Sequence, residues 1–311
     1  MFPSRPLIST LLVEEELWHL YATYGASPKS LFSYSGTPGT YDEIVTSEIN
    51  QLSPNGLAEL LSTNKATDNS HLLVTTGPLP NDRTRPERKI ASLHIFAEFC
   101  RLTLGNRVEM MKDCYDTLCL TPTTYSAAGM VFKYRAHQFL QEGRTLDIFP
   151  ILASSQPQGE TNLRYIYNEY TDDARCSQRF ILPRLEVCLI GKGTQCTYEP
   201  GVYYRPRNPN SSSVDSWVLV QPDSQNAPII LAFQITINRE KDDAEKSGLD
   251  WLGESAPRNA QMYHVILAPE GVKPEINAST DRLTAGFLGG GEVNAAFRLF
   301  HCTINTVELF K

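Results

Sequence analysis

Val214-Asp215-Ser216-Trp217-Val218-Leu219-Val220, followed after a short gap by Ile229-Ile230-Leu231-Ala232-Phe233-Gln234-Ile235-Thr236-Ile237, is the stretch on which the fold turns. Both runs are rich in branched and aromatic residues, which suit strands. Between them Gln221–Pro228 holds the Pro, Asp, Ser and Asn of a turn. A hairpin folded symmetrically between Ser224 and Gln225 sets Asp215 across from Gln234 on one face. Thr236 shares that face, because strand side chains alternate with period two. The nearly continuous apolar character of both runs implies burial on both sides, as in α/β sheets. A carboxylate in such a place is costly unless it is paired or bound to a metal, and this singles out Asp215. Two plainer readings stay open: Asp215 as an exposed strand end or turn cap, and Gln234 as a core amide bonded to backbone.

On either side of this hairpin the pattern continues. Phe180–Ile190, Thr197–Tyr204 and Met262–Leu267 read as strands, the last ending at Pro269. Glu240–Leu252 reads as a polar helix, and Phe297–Phe310 as a final strand or helix. The first 120 residues read as largely helical. Glu14–Tyr24 stops at Gly25, Ser27-Pro28 opens a short helix, and Tyr41–Leu52, Asn55–Leu61, Ile90–Leu104 and Val108–Leu118 follow. Ser70–Thr75 reads as a brief strand and Pro78–Pro86 as a polar loop. Residues 126–142 form one more helix, with Met130, Val131, Tyr134, His137 and Phe139 on its apolar side. The expected fold class is α/β: a helical region over 1–122, then a mixed sheet flanked by helices over 123–311.

Composition bounds the function classes. The net charge of −7 offers no global basic field for nucleic acid, which disfavours a DNA-coating protein but not a nuclease with a local basic surface. Seven cysteines without a CxxC pair suggest free thiols in a reducing compartment rather than a zinc site. No apolar run reaches the roughly 20 residues that span a bilayer, and Glu14-Glu15-Glu16 argues against a signal peptide. The protein therefore reads as intracellular, with no membrane partner. The basic run Arg83–Lys89 reads as a solvated surface, and the six histidines as structural.

The runs Val202-Tyr203-Tyr204-Arg205-Pro206, Val214-Asp215-Ser216, Phe233-Gln234-Ile235-Thr236 and Lys246-Ser247-Gly248-Leu249 together resemble the nuclease-like domain of Crinkler and RHS-type effector proteins. That domain belongs to the restriction-endonuclease-like, PD-(D/E)XK superfamily. Upstream, Trp18-His19-Leu20-Tyr21 followed by Tyr24-Gly25-Ala26-Ser27-Pro28-Lys29 looks similar to the lid segment that follows the NTPase core in fungal members, and Ser70-His71-Leu72-Leu73 and the helix Ala128-Gly129-Met130-Val131-Phe132 also look similar to such proteins. The resemblance implies a metal-dependent nuclease hydrolysing DNA as an effector or toxin, in the nucleus or cytoplasm, including that of a host cell. It implies Mg²⁺, or Mn²⁺, held by Asp215, the side-chain oxygen of Gln234 and the carbonyl of Ile235. Lys246, with Lys241 as substitute, would position the attacking water.

The chain departs from the family pattern at two places. Thr236 stands where the superfamily lysine usually follows the second ligand, and Lys133 stands where relatives are expected to carry a glutamate. These departures favour an alternative from another class, a catalytically inactive nuclease-like module binding nucleic acid or a host protein. A third reading is a regulatory fragment of an NTPase. No GxxxxGK[ST] motif occurs; near Gly191-Lys192-Gly193-Thr194 the first glycine position holds Glu186. The chain is accordingly expected to be the C-terminal portion of a larger protein with a P-loop NTPase domain, or a natural short form, and to bind no ATP.

Overall fold

In a computed structural model the described residues are 20–21, 23–25, 38–53, 56–62, 70–79, 82–104, 107–153, 164–170, 177–191, 196–207, 214–221, 227–238, 240–242, 252, 255–257, 259–273, 275–279 and 298–311. The chain divides into two compact units, Met1–Met130 and Val131–Lys311. The architecture is mixed α/β.

Helices of the first unit follow their apolar spacing. Pro38–Asn50 buries Tyr41, Val45 and Ile49 one turn apart, and Gly56–Ser62 buries Leu57, Leu60 and Leu61. Leu93–Leu102 starts at Ser92, whose Oγ accepts from the Ile95 N–H at 3.1 Å. Val108–Cys119 buries Met111, Cys114, Tyr115 and Leu118. The helical residues before Gly25 do stop there: its φ is +87°, and an added Cβ would lie 2.3 Å from the Ala91 carbonyl oxygen. Only glycine fits both conditions.

Two sequence expectations for this unit need correction. Pro78–Pro86 is no loop, because β1 (Val74–Leu79) and β2 (Asp82–Ile90) pair antiparallel through it. Ser70–Leu73 forms a helical turn, and the strand begins only at Val74. Ser27-Pro28 lies outside the described residues.

The second unit carries the large sheet. Its strands are β3 (Arg144–Ala153), β4 (Arg164–Tyr170), β5 (Gln178–Leu182), β6 (Glu186–Ile190), β7 (Val202–Pro206), β8 (Ser216–Val220), β9 (Ile229–Ile235), β10 (Glu240–Asp242), β11 (Gln261–Pro269), β12 (Glu275–Ser279) and β13 (Arg298–Ile304). The order is β10-β12-β4-β3-β13-β11-β9-β8-β7-β6, with β5 added on β3. At its centre β9, β11 and β13 run parallel, while β7, β8 and β9 form an antiparallel meander. All of β9 is buried, as its unbroken apolar sequence requires.

One face packs Tyr204, Trp217, Leu219, Ile230, Ala232 and Met262 into a core. The second unit's part of the helix Tyr125–Gln141, from Val131 on, is joined to the other face by His137 on Tyr203. At the chain end, Asn305 caps Thr306–Leu309, and the buried Arg135 donates from Nε to the Leu309 carbonyl at 2.7 Å. Pro183 breaks the strand expected over Phe180–Ile190 into β5 and β6. The helix expected from Glu240 begins instead as strand β10, paired with β12. Phe297–Phe310 supplies both a strand and a helix.

Candidate functional site at the start of β8

The hairpin register is the expected one over its regular part. Ser216, Trp217, Val218, Leu219 and Val220 face Phe233, Ala232, Leu231, Ile230 and Ile229. Asp215 sits one residue before this ladder, and there the regularity ends. Its N–H donates to the Phe233 carbonyl at 2.8 Å, a one-residue slip relative to the strand that follows. Val214 is packed in the same core as Trp217, although strict alternation would put them on opposite faces. The chain is therefore kinked at Asp215, in the manner of a bulge.

The kink turns the carboxylate toward the helix. One oxygen, Oδ2, accepts from the Ile235 backbone N–H at 2.7 Å. The other, Oδ1, takes the ammonium of Lys133 in a short ion pair. The pair is largely shielded, with 12% of the Asp215 side chain exposed and 24% of Lys133.

One helical turn beyond Lys133, His137 lies on the same stripe. Its Nδ1 is 2.8 Å from the Tyr203 hydroxyl, which is 2.6 Å from Ser216 Oγ. This buried chain ties helix, β7 and β8 together. Burial first, then the charges of Arg205 and Lys133, hold the His137 imidazole well below its ordinary pKa of 6.5. Burial likewise raises the Tyr203 phenol. Since the folded pKa of His137 is depressed, the unfolded chain binds the proton first as pH falls. Stability is then whole above about pH 6.5 and declines below it, by up to about 1.4 kcal/mol per pH unit for one proton. His137→Gln is expected to flatten the fall in melting temperature between neutral and mildly acidic pH. A slope identical to wild type would contradict a neutral buried imidazole.

The sequence-derived site residues have different places. Asp215 has a charge partner and Ile235 presents its N–H to it. Gln234 is 7% exposed and makes no side-chain hydrogen bond among the described residues. It alternates with Ile230 and Ala232 of the core face and registers with Ile266 of β11, so its side chain is directed away from the helix face where Lys133 meets Asp215. Thr236 is buried, and its Oγ1 accepts from the Asn238 N–H at 3.0 Å. Lys246 lies outside the described residues, and Lys241 falls in β10 rather than on a helix. Sequence reading missed Lys133 as a partner of Asp215, along with Tyr203, Ser216 and Arg205. The signal for Lys133 was its position, where the resemblance implied a glutamate.

As arranged, these residues do not fit a magnesium ion at Asp215. Magnesium wants several oxygen ligands in octahedral array, whereas here an ammonium and an amide hydrogen occupy the two carboxylate oxygens. Among the described residues no three His, Cys, Asp or Glu side chains gather to hold a metal. The six described cysteines are free thiols, and burial pushes Cys114 up to about 11. No described helix is long and apolar enough to cross a membrane. No family model, curated protein or solved structure matches the chain.

Proposed function

We propose that residues 131–311 form a restriction-endonuclease-like module that binds nucleic acid without hydrolysing it. The observation that carries this reading is the ion pair of Lys133 with Asp215. A resident ammonium neutralises the one carboxylate that sequence reasoning gave to the metal. It comes from the helix position where the resemblance called for a glutamate. Supporting recognition of nucleic acid are the resemblance itself and a local excess of positive charge, since Arg205 and Lys133 face the single carboxylate of Asp215. Such a module would act in the nucleus or cytoplasm, alongside an NTPase domain in a longer form.

Hydrolysis by Asp215, Gln234, Ile235 and Lys246 around Mg²⁺ would first require Lys133 to leave the carboxylate. Fluorescence anisotropy with labelled oligonucleotides, run beside plasmid cleavage in Mg²⁺ and Mn²⁺, tests the choice. The expected outcome is binding in the range of roughly 10⁻⁴ to 10⁻⁶ M, weakened by salt, with the plasmid left intact. Cleavage by wild type that disappears in Asp215→Asn would overturn the reading in favour of a metal-dependent nuclease.

A further inference from the structure

Arg205 is a second cation beside the Asp215–Lys133 pair. It lies on β7 two residues after Tyr203, so alternation sends it to the helix face that Tyr203 occupies. Tyr204 stands opposite Trp217, which brings Arg205 alongside the start of β8. There it is within electrostatic reach of Asp215, Tyr134 and Tyr203, and its charge is felt by His137.

Arg205 as a residue is half-buried. Burial pulls it below its ordinary pKa, with Tyr203, Asp215 and Tyr134 acting in the other direction. Yet no described residue gives it a hydrogen bond or an ion pair, so none of them fills its fork of donors. By contrast Arg135, four positions from Phe139 on the nearby helix, fills its donors with Leu309, Gln138 and Glu142. The Asp215 carboxylate pairs with Lys133 and the Ile235 N–H and forms no ion pair with Arg205. Among the described residues this cluster sets two cations, Lys133 and Arg205, against the one carboxylate of Asp215, with the His137 imidazole held below its ordinary pKa. A planar fork suits a phosphate's paired oxygens.

We propose that Arg205, backed by the charge of Lys133, is a phosphate-binding residue beside this cluster. The ligand class is a phosphate group, from a nucleic-acid backbone or from free phosphate. The backbone source rests on the nucleic-acid reading above; phosphate binding itself does not.

The test measures two probes on wild type and Arg205→Gln. One is a labelled single-stranded oligonucleotide, read by anisotropy. The other is inorganic phosphate, read as a melting shift against chloride at equal ionic strength. Wild type should bind the oligonucleotide roughly ten-fold more tightly than Arg205→Gln, and the variant's salt slope should fall by about one. Arg205→Lys should recover only part of the loss, because it keeps the charge but not the fork. Arg205→Met keeps the packing of the stem and should show the same loss, which separates lost binding from a folding defect in Arg205→Gln.

Oligonucleotide binding unchanged in both Arg205→Gln and Arg205→Met overturns the inference while leaving the nucleic-acid reading standing. A phosphate shift that depends on Arg205, with no oligonucleotide binding, upholds the inference and removes the nucleic-acid reading. Equal phosphate shifts in wild type and variants also overturn it.

Discussion

Lys133→Glu is expected to lower stability by about 2–3 kcal/mol and to create a divalent-cation site that wild type lacks. The stability loss has two parts. The ion pair with Asp215 is gone, and a second carboxylate is placed where the ammonium was. Breaking a fully buried pair costs about 3–5 kcal/mol; the 24% exposure of Lys133 lets water screen part of it. For a unit of this size each kcal/mol moves the melting temperature by about 2–4 °C. Two carboxylates crowded together repel one another, and a divalent cation relieves both charges. At a hundredfold excess over its dissociation constant the cation returns about 2.7 kcal/mol. Melting curves with and without Mn²⁺ should therefore nearly converge on wild type only for the variant with added metal. No Mn²⁺ shift in Lys133→Glu would mean that the two positions cannot share a cation.

Asp215→Asn, the second large effect, should destabilise by about 1–2 kcal/mol. Asparagine retains an oxygen for the Ile235 N–H, so the kink at the start of β8 keeps its closing bond. What it loses is the counter-charge of Lys133. A carboxylate standing unpaired in this place would behave in the opposite way, since removing its charge would raise stability. The sign of the change thus reports the pairing. A double-mutant cycle with Lys133→Met isolates the coupling, expected at about 1 kcal/mol or more. Additive losses in the two single variants would show that the contact contributes nothing.

Much of the frame around these residues could be read from local pattern. The hairpin register over Ser216–Val220 and Ile229–Phe233 followed from apolar runs and a central turn. Helices such as Val108–Cys119 followed from period 3.6. Where the signal was not local, the reading slipped. β2 carries charged residues and a proline, so its strand character comes from pairing with β1 and not from its own alternation. Glu240–Asp242 is likewise a strand because β12 lies beside it.

The slip at Asp215 has the same origin. Symmetric pairing predicted Asp215 and Gln234 side by side, but one extra residue of bulge re-aims the carboxylate toward a helix some eighty residues earlier in the chain. No spacing rule connects Lys133 to Asp215. The lysine at 133 was visible in the sequence, whereas its pairing with Asp215 needed three dimensions. The His137–Tyr203–Ser216 chain was hidden for the same reason: its members sit on three elements, and only packing brings their polar atoms within 2.8 Å.

The most direct measurement is Mn²⁺ binding to the wild-type protein, followed by electron paramagnetic resonance as free Mn²⁺ is titrated, with Asp215→Asn in parallel. If Lys133 holds the place of the cation, wild type and Asp215→Asn should leave the same free Mn²⁺ signal throughout. A site in wild type that vanishes in Asp215→Asn would contradict the central claim, because the carboxylate would then prefer a metal to its ammonium partner.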